Sequence, residues 1–127
     1  MLLVKTRLDR SSIHGIGLFA AERIRRGTAI WRLDPTLDRQ LTGEQIAALA
    51  PPARAQVEKY TYLDRVLGQW ILCGDDARFF NHADEPNCHD FPDAHGGTTL
   101  AARDIEEGEE LTCDYASFDA SWTPHPR

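Results

Sequence analysis

Arg78-Phe79-Phe80-Asn81-His82-Ala83-Asp84-Glu85-Pro86-Asn87-Cys88-His89-Asp90 is the densest run of chemistry-bearing residues in the sequence. Polar residues flank an aromatic pair, and Asn81 and Asn87 bracket a proline turn. The spacing predicts a structured loop rather than a strand or an amphipathic helix. Taken alone, the run has two readings. Its Asn and His side chains satisfy loop carbonyls, or His82, Cys88, His89 and His95 ligate a metal. Zinc would need three or four of these to converge, yet adjacent Cys88 and His89 point apart in extended backbone and no second Cys/His cluster follows.

Upstream, Gly15-Ile16-Gly17-Leu18-Phe19-Ala20 has the spacing of a dinucleotide fingerprint, which needs a buried strand before it, a helix after it and an acid further on. Gly27 and a β-type segment arrive too soon for a crossover helix. The glycines then mark a tight hairpin turn or a close backbone approach to another ligand. Downstream, Gly108-Glu109-Glu110-Leu111-Thr112-Cys113-Asp114-Tyr115 reads as a strand ending in a tyrosine beside acids. A phenol there can donate, accept or orient a proton; it is also a routine core residue.

Between these motifs the elements are short. Leu2–Leu8 reads as an edge strand closed by the turn Asp9-Arg10-Ser11-Ser12, and Thr28–Leu33 as another strand. Thr42 with Gln45 has capping-box spacing, and Ile46, Ala47, Leu49 and Ala50 supply a brief helical stripe that Pro51-Pro52 stops. A second helix is expected from Ala53 to about Tyr60. Gln69–Cys73, Thr98–Ala102 and Glu110–Cys113 complete the strands, and Ser121–Arg127 is expected to be a loose tail unless Trp122 docks. The fold class is mostly β with minor helix, and helices are too few to cover both faces of a parallel sheet.

Length and composition fit one domain. The chain has 127 residues, 42% apolar and 27% charged, with a formal net charge of −6, which is the profile of an ordinary globular protein. Acidity argues against a nucleic-acid binder and suits a cationic partner. No apolar run is long enough for a membrane span or a secretory leader, and three unpaired-looking cysteines suit free thiols in a reducing compartment; a cytoplasmic protein is expected.

The four segments Gly15–Ala20, Tyr60-Thr61-Tyr62, Arg78–His82 with Pro86-Asn87-Cys88, and Gly108–Tyr115 together resemble the SET-domain lysine methyltransferases. They stand in the family's order over about residues 5–118, nearly the whole chain. The resemblance implies small curved sheets and a C-terminal segment that passes through a preceding loop as a pseudoknot, an exception to the usual rule against threading. It implies a SET domain over 1–118 and a tail over 119–127. It also implies S-adenosyl-L-methionine as cofactor, with S-adenosyl-L-homocysteine as product, and a lysine in a basic protein or peptide as methyl acceptor.

Residue by residue, the resemblance places His14, Gly15, Ile16, Gly17, Tyr60, Asn81 and His82 at the cofactor. It makes Tyr115 the catalytic tyrosine and puts Tyr62, Cys113, Phe118 and Trp122 at the substrate channel. Arg78 and Phe79 brace the loop. Cys88 matches a cysteine that elsewhere shares zinc with a cysteine-rich segment, but no cysteine follows Cys113, so no metal is expected. Without that segment, Phe118 and Trp122, or a partner subunit in a homodimer, must close the channel; failing that, the chain is an inactive cofactor- or peptide-binding module. A small thiol at Cys113 leaves room for di- or trimethylation unless a neighbour fills the gap. Residues 104–114 carry six acids and no base, a candidate guide for a lysine-rich substrate. Carboxylates should line the approach and not the channel, since one beside the amine would keep it protonated.

Overall fold

The computed structural model describes residues 1–124. The chain opens with an antiparallel hairpin, β1 (Thr6–Arg10) and β2 (Ile16–Ala20), in which Leu8 faces Leu18. The strand expected over Leu2–Leu8 is thus shifted. Lys5 turns its amide to the Glu22 carboxylate, and Leu2 and Leu3 pair with Trp31 and Ile30 instead. The hairpin turn runs from Ser11 to Gly15, whose φ of 48° is a conformation glycine adopts without a Cβ clash. No crossover helix follows, so the dinucleotide reading fails.

Next come β3 (Ala29–Arg32), β4 (Arg39–Leu41), α1 (Gly43–Ala47), α2 (Pro51–Tyr60), β5 (Thr61–Leu63) and β6 (Trp70–Leu72). The Thr42–Gln45 capping box is present at α1. Pro51 and Pro52 occupy the first turn of α2 rather than only ending α1, where their missing amides cost nothing. β4, β6 and β5 form one antiparallel sheet. Gly74 just beyond it has no alternative: a Cβ there would lie 1.9 Å from the Leu37 carbonyl oxygen.

The run Arg78–Asp90 is less of a loop than its composition predicts. Asp75 caps a 3₁₀ turn over Asp76–Phe79, then β7 (Asn81–His82) and β8 (Cys88–Phe91) follow. Sequence pattern does not show these two strands because Asn and Asp carry little strand propensity, both runs are short, and β7 pairs only with residues some thirty positions further on. β8 pairs with β9 (Thr98–Ala101), which pairs with β3, so Trp31, Thr99 and Asp90 form one row across this sheet.

The last strand, β10 (Thr112–Cys113), runs parallel to β7. On its other side Leu111 donates its amide to the Leu18 carbonyl at 2.7 Å and Glu110 bridges Phe19. Asn87 fastens the segment: its Nδ2 donates to the Glu110 carbonyl at 2.8 Å, and the Thr112 amide donates to its Oδ1 at 2.9 Å. The closing segment is therefore held between β2, β7 and the Asn87 loop, which is the enclosure a pseudoknotted C-terminus requires. A 3₁₀ turn over Tyr115–Ser117 ends it.

Two apolar clusters result. Leu18, Ile24, Ile30, Ile105, Leu111, Cys88 and Cys113 form the larger; Trp31, Leu33, Ile71, Cys73 and Ala77 form the smaller. Leu2 and Phe80 pack against both. The three cysteines are free and buried. Among the described residues no helix is long and apolar enough to cross a membrane.

Candidate active site

Two cavities meet at Tyr115. A cleft of about 1150 Å³ is lined by His14, Gly15 and Ile16 of the hairpin, by Phe79, Asn81 and His82, and by Trp122. A smaller cavity of about 130 Å³ is lined by Tyr62, Cys113 and Phe118 among others. Lys59, Tyr60, Arg78, Phe80 and Tyr115 border both.

Asn81 builds the cleft wall. Its carboxamide donates to the His14 carbonyl at 3.0 Å and to Glu110 Oε2 at 2.9 Å, while Ser11 Oγ donates to the same carboxylate at 2.7 Å. The hairpin turn, β7 and the closing segment are thereby tied at one point. Gly17 does not line the cleft, as it was expected to; a Cβ there would meet Glu110 Oε2 at 2.4 Å, so its bareness makes room for that carboxylate. Gly15 has open space around its Cα and faces the cleft.

His82 Nδ1 accepts the Tyr115 amide at 3.1 Å, which puts the ring proton on Nε2, 3.0 Å from Asp84 Oδ1. The His82 ring lies 4.5 Å from that of Trp122. Trp122 is thus docked, but on the cleft side of the junction rather than in the smaller cavity. The tail expectation covered residues 119–127, of which 125–127 lie outside the described residues.

Tyr115 donates its hydroxyl to the Phe80 carbonyl, and burial, with the charges of Asp119 and Glu110 behind it, pushes its pKa well up, so the phenol stays protonated. The rings of Tyr62 and Phe118 meet edge to face at 4.9 Å, and Phe118 also touches Tyr115. Burial raises the pKa of Tyr62 in the same direction. Arg78 donates to the Cys73 carbonyl and lies over the Tyr60 ring, while its side chain also borders both cavities.

A cleft large enough for a nucleoside joined to an amino acid, opening onto a narrow aromatic cavity at a protonated tyrosine, can hold an alkyl donor in one and an extended side chain in the other. The family model described as SET domain matches residues 15–116. The chain belongs to the SET-domain family. Among curated relatives, human histone-lysine N-methyltransferase 2D is 30% identical over 120 residues, covering 88% of this chain and 2% of that protein. Histone-lysine N-methyltransferase trithorax of Drosophila melanogaster is 31% identical over 110 residues, covering 84% and 3%. This SET domain thus spans a small fraction of the relatives it matches. The Neurospora SET domain protein DIM-5, a histone lysine methyltransferase, superimposes with a TM-score of 0.63 at 24% identity, over 99% of this chain and 57% of that one. The same fold recurs in a humanized mutant of the Chaetomium thermophilum Polycomb Repressive Complex 2, with a TM-score of 0.66 at 22% identity over 93% of this chain and 16% of that one.

Two features of this SET domain differ from the sequence reading. Four of the six acids of the acidic run are engaged within the fold: Asp104 and Glu106 pair with Arg23, Glu109 with Arg103, and Glu110 with Ser11 and Asn81. Three carboxylates, those of Asp64, Asp90 and Asp119, also line the smaller cavity, where none was expected. Asp90 on β8 faces it, against the Cys113 thiol, and fills part of the room that the small Cys113 leaves. A strand this short gave no alternation to show which way Asp90 points. Among the described residues no group of three or more His, Cys, Asp or Glu is placed to hold a metal ion; His82, Cys88, His89 and His95 do not converge.

Proposed function

We propose that this SET domain transfers a methyl group from S-adenosyl-L-methionine to the side-chain amine of a lysine in a basic protein. The observation that carries this reading is the meeting of cleft and cavity at Tyr115, with both walls sharing Tyr60, Arg78 and Phe80. The cleft fits the cofactor by its size, by the backbone of His14–Ile16 along one wall, by the rings of Tyr60, Phe79 and Trp122, and by the cations Lys59 and Arg78 where a carboxylate would sit. When bound, the cofactor supplies an electrophilic methyl group on a cationic sulfonium.

The protein's part is alignment and exclusion of water. A free lysine amine with pKa near 10.4 is neutral in only about 0.04% of molecules at pH 7, a cost of about 4–5 kcal/mol before any bond forms. Tyr62, Phe118 and Cys113 give the amine an apolar passage, which favours its neutral form. The Tyr115 hydroxyl and the Phe80 carbonyl stand at its inner end, where they orient the nitrogen for in-line attack. The net charge of −6 favours encounter with a cationic substrate, and Asp84 and Asp114 flank His82 at the cleft.

Purified chain incubated with methyl-labelled S-adenosylmethionine and mixed core histones is expected to label a lysine. Cofactor binding in a thermal-shift assay with no labelled lysine in histones or lysate would instead identify an inactive binding module.

A further inference from the structure

The smaller cavity carries a polar group that an apolar lysine passage does not need. Trp31, Thr61 and Asp90 line it, and each has one polar atom shut off from solvent with no hydrogen-bond partner: Trp31 Nε1, Thr61 Oγ1 and Asp90 Oδ2. These are the buried side-chain polar atoms left without a partner among the described residues, and all three belong to residues of one cavity. Unpaired buried polar atoms are costly, and finding all three on residues of one cavity points to a ligand that pairs them. The carboxylate is oriented rather than loose. Asp90 Oδ1 accepts Thr99 Oγ1 at 2.6 Å from the adjacent strand, leaving Oδ2 as the free oxygen.

We propose that Asp90 Oδ2 takes the proton that the target ammonium must lose in the channel, a role resting on the methyltransferase reading above. The ammonium N–H bond breaks with its electron pair left on nitrogen, and an O–H bond forms on Oδ2, so atoms and charge balance with no further reagent. In water the proton would stay on nitrogen. In a closed channel an unscreened ion pair loses its hydration, and conversion to amine and carboxylic acid removes both charges. Burial, the largest influence on Asp90, already raises its pKa, with Thr99 and Cys113 opposing, while the same burial lowers that of an entering ammonium. The titratable groups around Asp90 are Cys113 on β10, Tyr62 on β5, His89 on its own strand and Asp114 beyond β10, and Lys59, Asp64, Cys73, Tyr115 and Asp119 line the same cavity. Asp64 Oδ1 already accepts the Val66 and Leu67 amides, and Asp119 Oδ1 those of Leu63 and Ser121. Tyr62 and Cys113 have raised pKa values and stay protonated, so neither competes as the acceptor.

The test uses n-butylamine as a lysine mimic. With S-adenosylhomocysteine present, its binding to the full chain is measured by calorimetry at pH 8 in phosphate and in HEPES, whose different ionisation heats report proton release. The wild-type chain is expected to bind butylammonium with no net proton release, and infrared difference spectra to show a carboxylate band replaced by a protonated carboxyl. Asp90→Asn, which keeps an oxygen for Thr99, is expected to bind at least tenfold more weakly, to release close to one proton per amine and to lack the infrared change. Wild-type release of one proton, no wild-type binding, or an unchanged Asp90→Asn variant overturns the proposal. The wild-type proton balance and infrared change together decide even if the variant does not fold, since an ammonium that kept its proton would also bind without release but would leave the carboxylate band unchanged, which overturns the proposal. Labelled transfer to histones, run from pH 7 to 9, separates the two claims. Transfer by both chains with the same pH profile sinks the Asp90 role alone, while no transfer by either sinks the methyltransferase reading and leaves the calorimetry to judge the amine site.

Discussion

The Tyr115 hydroxyl is tethered to the Phe80 carbonyl, so the phenol oxygen is fixed where cleft and cavity join. Phe80 in turn packs against both apolar clusters, which makes the tether rigid. Tyr115→Phe removes one hydroxyl and little volume. It is expected to cost about 1 kcal/mol of stability but about 10²–10³-fold in transfer rate, the usual price of losing one preorganised polar group at a reacting centre. Single-turnover transfer beside a thermal melt checks both numbers; full transfer by the variant would remove Tyr115 from the mechanism.

Asn87 is a structural clamp. Its 5% exposed carboxamide serves the Glu110 carbonyl, the Thr112 amide and the Cys88 thiol. Asn87→Ala strands at least two buried backbone groups at about 1–3 kcal/mol each. Urea unfolding should show a loss of about 3 kcal/mol or more; a loss under 1 kcal/mol would mean the closing segment is held by other contacts.

Gly17 and Glu110 should behave as a coupled pair. Gly17→Ala drives a Cβ into a carboxylate that Ser11 and Asn81 hold fast, a strain of about 1–3 kcal/mol. Adding Glu110→Ala should recover part of that, so the double-mutant cycle is expected to be non-additive by at least 0.5 kcal/mol. Additivity would show that Glu110 simply moves aside.

Asp90 gives a pH-dependent signature in stability. Its folded pKa lies above its unfolded value through burial, so its favourable contribution is complete only below the unfolded value and is lost as pH rises through the folded one. Asp90→Asn carries no charge to bury. The variant is expected to melt a few degrees above wild type at pH 7–8, with the gap closing toward pH 4. A gap that is constant with pH would assign the effect to packing.

Trp122 stacks on His82 and lines the cleft. Trp122→Ala should weaken S-adenosylhomocysteine binding several-fold, in line with about 1 kcal/mol for an aromatic contact, with little change in melting temperature. Unchanged affinity by calorimetry would place Trp122 outside the cofactor wall.

The sequence was most legible where chemistry and local geometry coincide. The Thr42–Gln45 box, the Gly15 turn and the Tyr115 motif could be read directly, because capping, positive φ and motif order are local properties. β4, β5, β7 and β8 could not, since runs of two to four residues show no period, and the partners of β4 and β7 lie some thirty residues away. The same limit hid Asp90: its orientation is set by the row with Thr99 and Trp31, and nothing in Cys88-His89-Asp90-Phe91 states that register. The acidic run misled for a related reason, since Arg23 and Arg103 are brought to it only by the fold.

The enclosure of the closing segment sets an order of events during synthesis. Leu18 and Leu111, Asn81 and His14, His82 and Tyr115 meet only after long stretches of intervening chain exist, and contacts of such separation form slowly. While a ribosome is still making residue 110, the hairpin and the two small helices can form, but the cleft lacks Tyr115 in its wall and the Glu110 carboxylate that holds Asn81. A nascent chain stalled there exposes Leu18, Ile24 and Ile30, so the core of this SET domain closes only when its last few residues leave the exit tunnel.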